Sequence, residues 1–303
     1  MTSVCYLIIN RLSSSWSKIQ DQANLGLTGW SVLSVLLLCA AVATSGLLWG
    51  RVLNMLSRSV VGSSSVVGNK EAIRVHTGAW LLKYIPGQIG SVVYKIDWGR
   101  KKGFRKIDVA LSFVYENLFL TIVSLLPTSI ILILFGGLNA STNALLGLIL
   151  LGSLVFVFSR PFLRFFINLL AKKAKINPKK IELINYKKVL KISCYYVLPR
   201  LLNGLGFVAV CASLFSIGVG DIAPLIAVYT LAGIIGIYAI FVPSGLGVRE
   251  AMIILFGAGI LGVDQAILAA VVIRFYATIT DGFLALFYGY STRLVRRRKT
   301  NEV

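Results

Sequence analysis

The sequence predicts an all-α, polytopic helical membrane protein, and three observations carry that reading. Hydrophobic residues fill 57% of the 303 positions and charged ones only 14%, at a mean hydropathy of +0.82, against about 25% charged in soluble domains. Apolar stretches close to the roughly 20 residues that cross a bilayer recur along the chain. The basic residues crowd into a few connections between those stretches, as the positive-inside rule asks. About six to eight spans fit, in a single domain over 1–303 with a polar N-terminal segment 1–29 and a basic tail 291–303.

Each element follows from its own pattern. Residues 33–48 form the first convincing span, with Trp30 as an interface anchor upstream and Trp49, Arg51 and Arg58 closing a cytoplasmic end. The stretch 109–135 is long, about 40 Å of helix against a core of roughly 30 Å, so it has to tilt or kink, with Pro127 the natural place. Further spans fall at 145–158, 189–217, 222–242 and 265–290, with a shorter apolar piece at 251–261. Basic residues mark three cytoplasmic regions: Lys95 to Lys106, Lys172 to Lys188, and Arg293 to Lys299. The turns near Asn139, Gly220 and Gly262 carry no Lys or Arg, and all three basic regions share one side if 251–261 crosses.

Composition also excludes functions. The formal net charge is +20, yet the cations lie in loops without interleaved aromatics, which argues against nucleic acid as a partner. Cys5, Cys39, Cys194 and Cys211 form no C-x-x-C pair, and His76 is the lone histidine, so no metal site or cofactor is expected. No D-x-D carboxylate pair is present and His76 sits in a basic segment, so the chain does not read as an enzyme. Residues 4–9 are too short for the apolar core of a signal peptide.

Two segments depart from plain spans. Residues 72–94 are apolar but hold Arg74, His76 and Lys83, then Pro86, Gly87 and Gly90. Residues 242–250 run Val-Pro-Ser-Gly-Leu-Gly-Val-Arg-Glu. Irregular backbone at membrane depth is tolerated only inside protein or beside water, so both segments predict broken or re-entrant helices. Pro86, Ile89 and Gly90 match Pro243, Leu246 and Gly247 at a constant offset of 157, which fits an inverted repeat with a site between its halves. A half-helix starting after Gly247 would aim its positive end, with Arg249 and Glu250 beside it, at an anionic group. Independent interfacial loops are the other reading of these two breaks.

Four charges fall near the midplane. At 1.5 Å per residue, Glu116, Arg200, Arg274 and Asp281 lie roughly 11 to 16 Å inside their spans. Each unpaired charge there costs about 2.5 to 3.5 kcal/mol, so they have to face a cavity or one another. Arg274 and Asp281, seven residues apart, share a helix face and permit pairing. Asn117, Pro199 and Asn203 add polarity or helix disruption nearby, and Tyr195, Tyr196, Tyr229, Tyr238 and Tyr276 are candidate lining residues. Either an ion-pair network that fixes packing or a polar route accounts for the charges.

At Lys83-Tyr84-Ile85-Pro86-Gly87 and at Pro243-Ser244-Gly245-Leu246-Gly247-Val248-Arg249-Glu250, with Arg274-Phe275 about 25 residues on, the chain resembles the lysylphosphatidylglycerol synthase transmembrane (flippase-like) family. The likeness runs from about Leu33 to Tyr290. The family's Glu-Arg pair reads Glu116-Asn117 here, so the acid is kept and the base is missing. By this resemblance the protein binds and translocates an anionic lipid in the cell (inner) membrane, either an aminoacyl-phospholipid or a polyprenyl-linked glycan intermediate. The breaks at Pro86 and Pro243 would form the floor and roof of the headgroup cavity. The resemblance also implies a stand-alone member without an aminoacyl-transferase domain, since only 13 residues follow Tyr290. The alternative is a non-transporting accessory subunit that scaffolds a cell-envelope biosynthesis enzyme through the Lys-rich loop.

Overall fold

The structure, a computed structural model, describes residues 28–58, 65–85, 89–158, 186–239 and 241–301. Pro86, Gly87, the signal-peptide reading and nearly all of the Lys172 to Lys188 loop lie outside the described residues. Within them the chain is all-α, without strands. Helix α1 is Gly29–Arg58, α2 Asn69–Leu81, α3 Ile89–Lys101, α4 Lys106–Phe135 and α5 Ala140–Phe158. The second half holds α6 Tyr186–Leu214, α7 Ile222–Tyr238, α8 Val248–Leu261 and α9 Val263–Asn301. Short 3-10 turns stand at Leu82–Tyr84, Val219–Asp221 and Pro243–Gly245.

Five of these helical stretches are long and apolar enough to cross a membrane: Gly29–Ser57, Lys106–Phe135, Lys191–Leu214, Val219–Tyr238 and Val263–Val295. The rest of the expected six to eight would have to come from shorter pieces such as Ala140–Gly152. Helices α2 and α3, at 13 residues each, and α8, at 14, reach only about 20 Å and cannot span a 30 Å core singly. They pair instead as hairpins: α2 with α3, and α8 with α7. The segment read as a basic tail continues α9 without a break to Asn301.

The 157-residue offset recurs in the helix boundaries. Helices α1 and α6 start at residues 29 and 186, α2 and α7 end at 81 and 238, and α4 and α9 start at 106 and 263. Every pair is 157 residues apart. Packing repeats with the same logic: α4 lies on α7 as α9 lies on α2, and α4 touches α6 as α9 touches α1. Helix α5 belongs to neither set and packs on α4.

The repeats run in opposite senses. Near the start of α1, Ser34 Oγ donates to the Gly206 carbonyl late in α6 at 2.8 Å. At the other end, Ile192, early in α6, packs against the cluster holding Leu48, Val52 and Leu56 of α1. Helices α1 and α6 therefore pack antiparallel, which, with the 157-residue offset, fits an inverted repeat. Apolar side chains such as Leu134, Phe135, Leu148, Phe275 and Leu286 are exposed while most of the midplane charges are inside. That inside-out distribution suits hydrocarbon as the surrounding solvent.

Candidate functional site: a charged cavity between the repeats

Two adjoining cavities, of about 100 and about 80 Å³, open where the repeats meet. Ser45, Trp80, Lys83, Leu120, Ile237 and Arg249 border both. The first also takes in His76, Lys95, Glu116, Asn117 and Gly245; the second takes in Arg200, Asn203, Tyr229, Arg274 and Asp281. Seven of the sequence-predicted site residues are thus brought together on one lining.

The breaks build this lining. Ser244, Gly245 and Gly247 adopt positive φ, at 55°, 67° and 81°, a region that costs a non-glycine residue free energy and admits glycine freely. The left-handed stretch reverses the chain so that α8 begins at Val248 and Arg249 turns inward. A Cβ on Gly236 of α7 would sit 2.5 Å from Cγ of Arg249, so that glycine supplies the space the arginine stem occupies. The α8 N-terminus is capped from within: the Gly247 N–H donates to Glu250 Oε2 at 2.6 Å. The helix end expected to meet an anion is therefore taken up by its own acid, and Arg249 is the part that reaches the cavity. The turn Leu82–Tyr84 lies against the turn Pro243–Gly245. These two turns therefore meet; Pro86, expected to form the floor or roof of the cavity, lies outside the described residues. Gly90 packs beside that contact, close to Leu82 and Ile85.

The four midplane charges do not pair with one another. Asp281 accepts from Lys83 Nζ at 2.7 Å, Trp80 Nε1 at 3.0 Å and the Tyr84 hydroxyl at 2.6 Å. Arg274 instead faces Glu250 at 3.8 Å. Glu116 accepts from Lys95 Nζ at 2.8 Å and lies 3.5 Å from His76 Nδ1. The expected Arg274 and Asp281 pair fails because the short helices and turns bring nearer countercharges to both. Asn117 donates to the Phe113 carbonyl, which leaves its carboxamide at the cavity edge.

Arg200 finds no acid. Its Nε and Nη2, together with Nε of Arg249, are buried without a hydrogen-bond partner, and neither arginine has an ion pair among the described residues. Five cations border the cavities, Lys83, Lys95, Arg200, Arg249 and Arg274, while the acids that neutralise them are Asp281, Glu116 and Glu250. The lining therefore keeps a surplus of two positive charges, both guanidinium groups. Planar guanidinium with free N–H donors is the side chain best matched to phosphate or carboxylate oxygens.

One sequence reading needs correction here. Lys95, counted with the cytoplasmic loop, is buried against Glu116 because α3 carries it inward from Arg100 and Lys101. Trp49, at the end of the first predicted span, is fully buried: its indole N–H donates to Ser112 Oγ at 2.9 Å and its ring lies 4.5 Å from Lys95 Nζ. Trp30 is half exposed, as an anchor requires. Of the five candidate tyrosines, Tyr229 borders the second cavity, Tyr196 is buried in the core and Tyr195 is exposed. Outside the membrane, the hydrogen bond from Lys101 holds the Asp97 carboxyl below its usual range. Neither a protein-family model nor a curated protein matches the chain.

Proposed function

We propose that the protein binds the anionic headgroup of a lipid in the cavity between its repeats and carries it between leaflets of a cell membrane, with the basic loops and the C-terminus on the cytoplasmic side. The observation that carries this reading is the pair of guanidinium groups without an ion pair, Arg200, which is buried, and Arg249, which is part-buried with its Nε buried, at a cavity shared by both halves. A buried charge without a partner is costly, and a ligand anion removes the cost on binding. The inverted repeat adds a means of movement: rocking one half against the other exposes a central site to each side in turn. The resemblance to the lysylphosphatidylglycerol synthase transmembrane family points the same way.

Leaflet exchange of tail-labelled phosphatidylglycerol in liposomes containing the purified protein tests it. Arg249→Gln and Arg200→Gln each slow exchange about tenfold or more, the size of one lost charge-assisted contact. Equal rates in both variants and the parent overturn the mechanism. Uptake of inorganic phosphate by the same vesicles, without lipid exchange, would assign the cavity to a soluble anion.

A further inference from the structure

Two aromatic pockets beside the cavity are each filled by a lysine of the chain. The Lys83 ammonium lies 2.7 Å from Asp281, 4.3 Å from the centre of the Trp80 ring and 5.3 Å from that of Tyr84. Lys95 lies 2.8 Å from Glu116, with the Trp49 ring centre at 4.5 Å and that of Phe113 at 5.7 Å. A carboxylate combined with aromatic faces is the composition that recognises ammonium groups. The chain has thus built two ammonium sites and closed both with its own side chains.

We infer that this cavity selects headgroups that bear phosphate and lack an amine, because Lys83 and Lys95 occupy the places a ligand ammonium would take. The inference rests on the proposed anionic-lipid reading and narrows it. A headgroup such as phosphatidylglycerol, phosphatidate or a polyprenyl phosphate brings only the negative charge that Arg200 and Arg249 require. Phosphatidylethanolamine brings a compensating ammonium that has no free acid to meet. Lysyl-phosphatidylglycerol, with a net positive charge, adds cation to a lining already in surplus. Of the two lipid classes the family resemblance implies, the polyprenyl-linked one fits and the aminoacylated one does not.

Competition for the full-length protein in detergent micelles provides the test, with tail-labelled phosphatidylglycerol displaced by unlabelled phosphatidylglycerol, phosphatidylethanolamine or lysyl-phosphatidylglycerol. The parent protein prefers phosphatidylglycerol by about tenfold or more over both amine lipids. Lys83→Met frees the Trp80, Tyr84 and Asp281 pocket and narrows that preference, while Lys83→Arg, which keeps the cation, retains it. Parent protein that binds the three lipids equally overturns the inference without needing any variant, and so does an unchanged preference in folded Lys83→Met. Phosphatidylglycerol binding that Arg249→Gln leaves intact overturns the underlying anion reading instead, so the two failures are distinguishable.

Discussion

The two repeats share one backbone plan and place their charges with opposite polarity. In the first, the base Lys95 is on the second arm of the hairpin and the acid Glu116 on the following span. In the second, the acid Glu250 is on the hairpin arm and the base Arg274 on the span. The first pair is tight and dry, at 2.8 Å with side chains 3% and 6% exposed; the second is loose, at 3.8 Å with 23% and 14%. At the 157-residue offset Arg274 falls on Asn117, the position next to Glu116. Helix order and spacing have thus been kept between halves while side chains diverged, and that divergence is what lets a repeated scaffold hold an asymmetric, net-positive cavity.

Breaking the tight pair gives the largest expected effect. Lys95→Ala leaves Glu116 buried with only His76, 3.5 Å away, and lowers unfolding stability by about 3 kcal/mol or more, the usual cost of orphaning one partner of a buried pair. Denaturant unfolding of the purified protein measures it. The double variant Lys95→Met with Glu116→Leu recovers most of the loss, because removing both charges also removes their desolvation. A double variant no better than the single would show that the pair has a role beyond its own electrostatics.

The second repeat offers the milder counterpart. Arg274→Ala removes a longer, more hydrated contact, and about 1 kcal/mol or less is expected in the same unfolding experiment. If Arg274→Ala costs as much as Lys95→Ala, the two halves are energetically alike and the contrast drawn from their distances fails.

How much of this was legible in the sequence depends on whether a signal was local. Span positions were, because hydropathy is summed along the chain: residues 109–135 and 222–242 differ from α4 and α7 by a few positions. The offset of 157 was legible in three residues, Pro86, Ile89 and Gly90 with their counterparts, and the starts of α1/α6 and α4/α9 and the ends of α2/α7 carry it across both halves. Pairing was not legible. Spacing along α9 made Asp281 and Arg274 neighbours, but Lys83 and Glu250 come from turns and short helices whose approach only tertiary packing fixes. Lys95 was misassigned for a related reason: five residues before Arg100 in a basic run, it looks like a loop cation, and the turn of α3 alone carries it inside. A lysine one helical turn and more from a cationic cluster, among apolar neighbours, is the signal that would have found it.

The smallest effect tests the antiparallel contact itself. Ser34 Oγ is buried and donates to the Gly206 carbonyl across the α1 and α6 contact, and a Cβ on Gly206 would lie 3.0 Å from a methyl carbon of Leu38. The helices therefore approach closely there, and the hydroxyl is a polar tie between them. Hydrogen bonds between membrane helices are worth about 0.6 kcal/mol on average, so Ser34→Ala should lower unfolding stability by that order and leave phosphatidylglycerol exchange near the parent rate. Position 34 maps onto Lys191 at the 157-residue offset, and Lys191 is exposed, so no second copy of this bond exists at the equivalent place. A loss of several kcal/mol would mean that the crossing of α1 and α6 depends on this one hydroxyl. A loss near 0.6 kcal/mol places the weight on the apolar contact of Leu48, Val52 and Leu56 with the other end of α6, where packing area rather than a polar tie holds the antiparallel pair together.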